Sequence, residues 1–486
     1  MEITENKLSG YETVIGLEIH LQLATRSKAF CGDDITFGAE PNTHVSAISL
    51  GHPGTLPKLN NAQVEYATRL GLAMGSKINQ RNCFDRKNYF YLDLPKGYQI
   101  TQDKHPICIG GGLEIRVGDE KKYIRLHHIH MEEDAGKSIH DADPNNSLID
   151  LNRAGTPLLE IVTEPDLRSG EEVDALMTAI RQLARYLEIS DGNMQEGSMR
   201  CDVNVSVRKK GATEFGERCE IKNVNSMKFA RQAINYESQR QIELIENGGV
   251  VTRETLNFNP ATGVTTPMRD KEDANDYRYF PDPDLPPVVL SEKEIEEIKN
   301  SLPKLPNELF NEFISKYSLS EYEAELLTTE KNTANYFLDL INYTTHFKSA
   351  SNLIINKINP YLSEENITLE AFDISKKRLA EFIQLIEDGK VTASIAYQRL
   401  FPEMIKQPDQ EVMTLAQKMN LIQSTDEGFI EKIVDEVLSQ NPDKVKALQN
   451  GKKGLISFFM GEVMRASKGK AEPKTTNSLL AKKLAK

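Results

Sequence analysis

Apolar and polar residues alternate strictly through VIGLEIHLQL, setting Ile15, Leu17, Ile19, Leu21 and Leu23 on one side and Gly16, Glu18, His20 and Gln22 on the other. A period of two predicts a strand with one face in a core and the other free for chemistry. RCDVNVSVR repeats the pattern: Cys201, Val203, Val205 and Val207 point one way, and Arg200, Asp202, Asn204, Ser206 and Arg208 the other. LEIRVGDEKKYIRLHHI reads as two strands around a Gly118-Asp119 turn. Two helical patterns interrupt these strands. One opens with the capping-box pair Ser169 and Glu172, carries Val173, Leu176, Met177, Ile180, Leu183 and Leu187, and is stopped by Ser190-Asp191-Gly192. The other starts near Asn225-Ser226 and ends at Gly248-Gly249. Gly110-Gly111-Gly112 reads as a flexible turn.

The pattern changes at Phe280–Pro287, FPDPDLPP, where four prolines in eight residues can continue neither a ladder nor a helix. Beyond it Ser291 and Glu294 form another capping-box pair, and helical periods follow in LAEFIQLIEDG, FIEKIVDEVLSQ and GLISFFMGEVMRAS. The fold class is therefore α+β: a β-rich domain over 1–290, an all-α domain over 291–410 and a helical tail over 411–486.

Composition changes this picture at two points. A length of 486 residues with 39% hydrophobic and 27% charged residues suits a soluble protein of two or three domains. No apolar run approaches a membrane span, and MEITENKLSGYE lacks a charged n-region and an apolar h-region, which predicts a cytoplasmic protein. Five cysteines without a C-x-x-C pair fit reduced thiols rather than a disulfide framework. The net charge of −13 speaks against nucleic acid, yet residues 441–486 hold eleven Lys or Arg against three acids. That is a local +8, which leaves −21 on the other 440 residues. Such a tail can grip phosphates or can simply be a solvated end.

Candidate chemistry gathers in the β-rich part. His127–Lys137, HHIHMEEDAGK, packs three histidines, two glutamates, an aspartate and a lysine into eleven positions. Imidazole and carboxylate together suit a divalent cation, although the run alone reads equally well as a solvated or core-satisfied cluster. Glu18 and His20 share a strand face, as do Arg200, Asp202 and Asn204, and again Glu220 and Lys222; Glu196 precedes the second set. Each by itself is more readily a salt-bridged outer face. Four together point to a shared site for a metal and an anion, where carboxylates hold the ion and cations neutralise phosphate oxygens. No G-x-x-x-x-G-K-[ST] and no G-x-G-x-x-G occurs, so neither a P-loop nor a dinucleotide fold is supported.

Longer motifs link these constellations: FGAEPNT, HPGTLPKLN, FDRKNYFYLDLPKGYQITQ, HMEEDAGKS, DLNRAGTPLLEIVTEPD, QEGSMRCDVNVSVR, EIKNVNSM and DYRYFPDPDLPP. With VIGLEIHLQL they cover about 11–290 almost continuously, and the sequence resembles the GatB family, the B-type subunits of glutamyl-/aspartyl-tRNA amidotransferases. GLISFFMGEVMRASKGKAEP and NSLLAKKL resemble that family's helical tail. The resemblance implies a kinase-like cradle that uses ATP and magnesium to phosphorylate the side-chain carboxylate of Glu or Asp mischarged on tRNA. Ammonia from an A-type glutaminase subunit then displaces phosphate, a small C-type subunit wraps the pair, and the helical parts contact tRNA. It also implies Glu18, His20, Glu132 and Glu133 at the metal, and Arg200, Asp202, Asn204, Glu220 and Lys222 at the reacting groups. Lys137, Arg153 and Glu196 are expected at the nucleotide.

One departure stands out. Family members often carry FCGC and a second C-x-x-C, but here the positions read Cys31-Gly32-Asp33 and Ser46-Ala47-Ile48-Ser49. A single thiolate cannot build a closed zinc site, so no zinc is expected and the loop must be held by packing or hydrogen bonds. Two other classes compete, a free-standing ATP-dependent amino-acid ligase and a non-catalytic RNA-binding scaffold. The basic tail is hard to explain in the first, and the Glu18, His20 and Glu133 constellation in the second.

Overall fold

The computed structural model describes residues 10–139, 145–224, 226–268, 277–424, 426–449, 454–467 and 469–484. The chain divides into two compact units between Pro306 and Asn307.

The first unit is organised by a ten-stranded sheet. Strand β1 (Tyr11–Gln22) occupies its middle, because the alternation in that segment supplies a fully buried set, Ile15, Leu17, Ile19 and Leu21. Helix α1 (Asn61–Ala73), strand β2 (Glu120–Glu133), strand β3 (Pro157–Thr163), helix α2 (Gly170–Tyr186), strand β4 (Met199–Lys209), strand β5 (Cys219–Val224) and helix α3 (Met227–Glu246) follow. In space the central strands run β5-β4-β1-β3-β2, with every neighbouring pair antiparallel. Directly opposed residues share a face. The apolar sets of all five strands therefore line one side, where α1 packs on β2 and β3 while α3 packs on β4 and β5. The polar sets line the other side.

Several local expectations hold and several change. Ser226 caps α3, and Ser291 with Glu294 forms a reciprocal capping box on helix α4 (Glu292–Asn300). At Ser169 only half a box forms. Its hydroxyl accepts from Glu172 N, but the Glu172 carboxylate accepts from Arg168 N at 2.7 Å and pairs with Lys122. Helix α1 breaks the β-rich part a third time, capped by Asn60 and burying Val64, Ala67 and Leu70. The proline break is not complete: Phe280 and Pro281 pair with Arg86 and Asp85 at a sheet edge, where a residue without an N–H is tolerated. Gly110-Gly111-Gly112 is a tight approach, not a loose turn. Gly111 has φ +90° and a Cβ there would lie 2.6 Å from the Met74 carbonyl. Helix α4 belongs to this first unit, since Ile295, Leu302 and Leu305 pack on its core.

The second unit is helical. A ring cluster of Phe313, Tyr317, Phe337 and Phe347 anchors its start. Two π-helical turns, Ile354–Ile358 and Ala396–Leu400, each end two residues before a proline, Pro360 and Pro402. The proline ring crowds the carbonyl one turn back and supplies no donor, and the wider turn absorbs both defects. At the C-terminal end, helices α5 (Glu427–Gln440), α6 (Leu455–Ala466) and α7 (Pro473–Leu484) bury Ile430, Val434 and Val437 against Phe459, Val463 and Leu480. No helix among the described residues is long and apolar enough to cross a membrane.

Candidate active site

Strand register assembles the site. His20 on β1 lies between Arg200 on β4 and Glu160 on β3, and Glu160 lies beside His130 on β2. Glu132, one strand period further, completes a convergence of His20, Glu132 and Glu160, whose ligand atoms all lie within 4.8 Å of one another. His20 Nε2 is 3.6 Å from Glu132 and 3.4 Å from Glu160. His130 Nε2 faces the same carboxylates at 3.5 and 3.2 Å, and Thr101 donates to Glu132 at 3.3 Å. Two carboxylates and one imidazole on a rigid sheet fit a hard divalent cation that takes mainly oxygen ligands.

The charges are tightly coupled. Burial disfavours a cation at His130, but Glu160 and Glu132 outweigh it and raise the imidazole to about 10. Burial likewise opposes charge on His20, and Glu160 and Glu132 again win, so its basicity rises. Glu160 stays well below the usual carboxylate range despite its burial, held there by the two histidines. A bulge accounts for the rest of the histidine run. Between the Val162 and Thr163 pairings β2 carries one extra residue, His127, which turns it toward His128. Their Nδ1 atoms are 2.6 Å apart, and His128 Nε2 is 3.0 Å from His130 Nδ1.

Next to this cluster Asp134 is clamped by Arg200 and Gln22, both at 2.8 Å, and by Arg153 at 3.5 Å. Burial would raise Asp134, but Arg200 and Arg153 hold its carboxyl below the ordinary value. Arg153 also donates to the carbonyls of Ala135 and Gly136, fixing the loop after β2. Further along the face Asn204 donates to Glu18 at 3.0 Å, and Lys222 bridges Asp202 at 3.5 Å and Glu220 at 3.1 Å. Burial raises Glu18, with Glu160 adding to the rise, and burial also raises Asp202.

Glu18, His20, Glu132, Arg200, Asp202, Asn204, Glu220 and Lys222 thus share one sheet face. Glu133 does not. Strand alternation sends it to the opposite face, where it pairs with Lys96 and accepts from Ile100 N at 3.0 Å. Lys137 is exposed on a short strand that pairs with Leu148–Asp150, and Glu196 is exposed in the turn before β4. Sequence patterns did not single out Glu160, and they left His130 outside the ligand set. The available signal was a lone carboxylate inside the apolar run Leu158-Leu159-Glu160-Ile161-Val162, which a buried strand carries only when paired.

Hydrogen bonds hold the loop that begins at Cys31. Ser49 donates to Asp33 at 2.6 Å, and the fully buried Lys28 donates to the His44 carbonyl at 2.6 Å and the Leu151 carbonyl at 3.3 Å. Burial lowers Lys28; Asp33, 3.9 Å away, opposes that shift.

Residues 13–296 match the family model for the GatB/GatE catalytic domain, and 335–484 match the GatB domain. The chain is 48% identical over 475 residues to a Trichlorobacter lovleyi protein named as the B-type subunit of an aspartyl/glutamyl-tRNA(Asn/Gln) amidotransferase, covering 98% of this chain and 99% of that one. It is equally 48% identical to proteins of the same name from Neisseria meningitidis serogroup B, over 475 residues, and Geobacter sulfurreducens, over 477. Again 98% of this chain is covered, with 100% and 99% of the respective relatives. With a β-sheet site in the matched catalytic region and a match over nearly its whole length, the chain belongs to the GatB family.

Proposed function

We propose that this chain is the amidating component of an aspartyl/glutamyl-tRNA(Asn/Gln) amidotransferase, working with an A-type glutaminase subunit and a small C-type subunit in the cytoplasm. The observation that carries the reading is the convergence of His20, Glu132 and Glu160 on one rigid face, beside the Arg200 and Asp134 pair. The side-chain carboxylate of Glu or Asp on tRNA attacks the γ-phosphorus of ATP, and ADP leaves. Ammonia then attacks the acyl carbon, the C–O bond to phosphate breaks, and nitrogen's proton leaves with phosphate. Magnesium, when bound, would supply charge neutralisation of the phosphoryl oxygens. His20, Glu132 and Glu160 would hold it; Glu18 joins on the same face, whereas Glu133 supports the strand end.

Arg200, Asp202, Asn204, Glu220 and Lys222 form a fixed charged wall that orients the two reacting carboxyl and phosphoryl groups. Arg153 keeps the 134–136 loop in place, so its part is to shape the nucleotide site together with Lys137 and Glu196. The basic tail would supply the phosphate contacts that an acidic body cannot. No zinc is expected, because Cys31 is the one cysteine in a loop already held by Lys28, Asp33 and Ser49.

The test is co-expression with candidate glutaminase and small subunits and measurement of glutamine-dependent conversion of Glu-tRNA to Gln-tRNA and of Asp-tRNA to Asn-tRNA. Conversion that requires ATP and is lost in His20→Ala is expected. Conversion without ATP, or none with either tRNA, overturns the reading.

A further inference from the structure

A cavity of about 350 Å³ opens on the polar sheet face beside Glu18. Its floor follows β1 from Glu18 through Gly16 to Val14, and β4 from Asn204 to Ser206, which are directly opposed pairs in the ladder. The four residue steps from Val14 to Glu18 make that floor about 13 Å long. The two ends differ in charge. Glu18 closes the end nearest the reacting centre, with His20 one strand period, about 7 Å, further on. At the other end stand Arg218 and Arg253, placed there because Cys219 pairs with Val205 and Glu254 bonds to Glu220 N. Neither arginine has a hydrogen bond or ion pair among the described residues, and both are exposed. Between the ends the lining is uncharged: Gly16, Pro165 and the exposed ring of Phe215, with the polar side chains of Thr163, Asn204 and Ser206. Arg208 lies 5.1 Å from the centroid of that ring.

We infer that this cavity seats the 3′-terminal adenosine of the charged tRNA, with its 5′-phosphate at Arg218 and Arg253 and its base against Phe215. The inference rests on the function proposed above and names where that site takes its substrate. Polarity decides the occupant. The terminal nucleotide carries its aminoacyl ester on one side of the ribose and a phosphodiester on the other, so it needs a neutral middle and a cationic far end. ATP carries all its phosphates on the side of the reacting atom, and would leave two guanidinium groups facing an uncharged base edge. The span from Glu18 to His20 matches an ester plus a glutamyl or aspartyl side chain reaching the cation site. Glu217 also lines the cavity and offsets part of the positive charge of the two arginines, leaving that end net cationic. An aromatic face beside a backbone floor is a common way to hold an unpaired base.

The experiment uses the complex assembled with the glutaminase and small subunits. Arg218→Ala/Arg253→Ala should raise KM for Glu-tRNA by about tenfold, the loss of a charge-assisted phosphate contact. The KM for ATP should stay unchanged, and the log–log salt slope for tRNA should flatten by about 0.7. Arg218→Lys/Arg253→Lys should restore part of both. Gly16→Val, whose Cβ would make only ordinary contacts at 3.9 Å, should fill the floor and raise KM for tRNA alone. A rise in KM for ATP without one for tRNA would assign the cavity to the nucleotide of ATP and overturn the inference. So would unchanged constants in every variant. Calorimetry with 3′-glutamylamido-3′-deoxyadenosine 5′-phosphate provides a readout independent of turnover. Wild type should bind it more tightly than the analogue lacking the 5′-phosphate, and the double alanine variant should not distinguish them. Equal wild-type binding of the two analogues counts against the cavity, whereas a wild-type complex that fails to amidate counts against the function.

Discussion

The difference between Glu132 and Glu133 shows how one position along a strand changes what a carboxylate does. Glu132 faces His20, His130 and Glu160; Glu133 turns to Lys96 and a backbone N–H. His20→Ala and Glu160→Gln should each reduce transamidation on the order of a hundredfold; the melting temperature should change little for the part-exposed His20 and fall for Glu160, whose loss strips the buried His130 imidazolium of a partner. Glu133→Gln should act chiefly on the fold, destabilising it by about 2 kcal/mol through the part-buried Lys96 ammonium left without its partner. Thermal melts and initial rates on the three variants decide between these outcomes. A second residue-scale prediction concerns Asp33. Burial would raise its carboxyl, but the Ser49 hydroxyl, with the Cys31 thiol adding to it, holds it below the ordinary value. A depressed folded value means that its stabilisation is complete above the unfolded value, about pH 4, and is lost as pH falls through the folded one. The stability gap between wild type and Asp33→Asn should therefore be constant above about pH 5 and close below pH 4, as urea titrations at stepped pH would show.

At the scale of elements, strand alternation and helix caps were legible because they are local. The buried sets of β1 and β4 and the caps at Ser226 and Ser291 follow from residues within a few positions of one another. Half of the Ser169 box was lost because Glu172 found a competing partner in Lys122, which no local pattern announces. Helix α1 escaped notice because its apolar stripe is short and interrupted by polar residues. The tail offers an element-scale prediction. Deleting everything from Asn441 would strip α6 and α7 from the apolar face of α5, so charge reversal is the cleaner probe. Lys446, Lys474 and Lys482 are exposed, whereas Lys483 is paired with Glu431 and Asp435. Lys446→Glu/Lys474→Glu/Lys482→Glu should raise KM for tRNA and lower its salt slope by about 2 or less, while ATP binding is unchanged. A slope equal to wild type would make the tail a solvated end.

For the molecule as a whole, the fold class, the buried faces of the central strands, the family and most members of the polar face could be read from the residues in order. They follow from periodicity, capping and motif, each contained within one stretch of chain. Which carboxylates meet is a matter of tertiary structure. His20, Glu132 and Glu160 come from three strands, and only antiparallel register brings their ligand atoms within 4.8 Å. Register likewise places Arg218 and Arg253 at one end of a cavity whose other end is Glu18. Residues separated by more than a hundred positions become neighbours through ladder hydrogen bonds and a shared core, and their pairing depends on how strands far apart in the chain align, which single segments do not record.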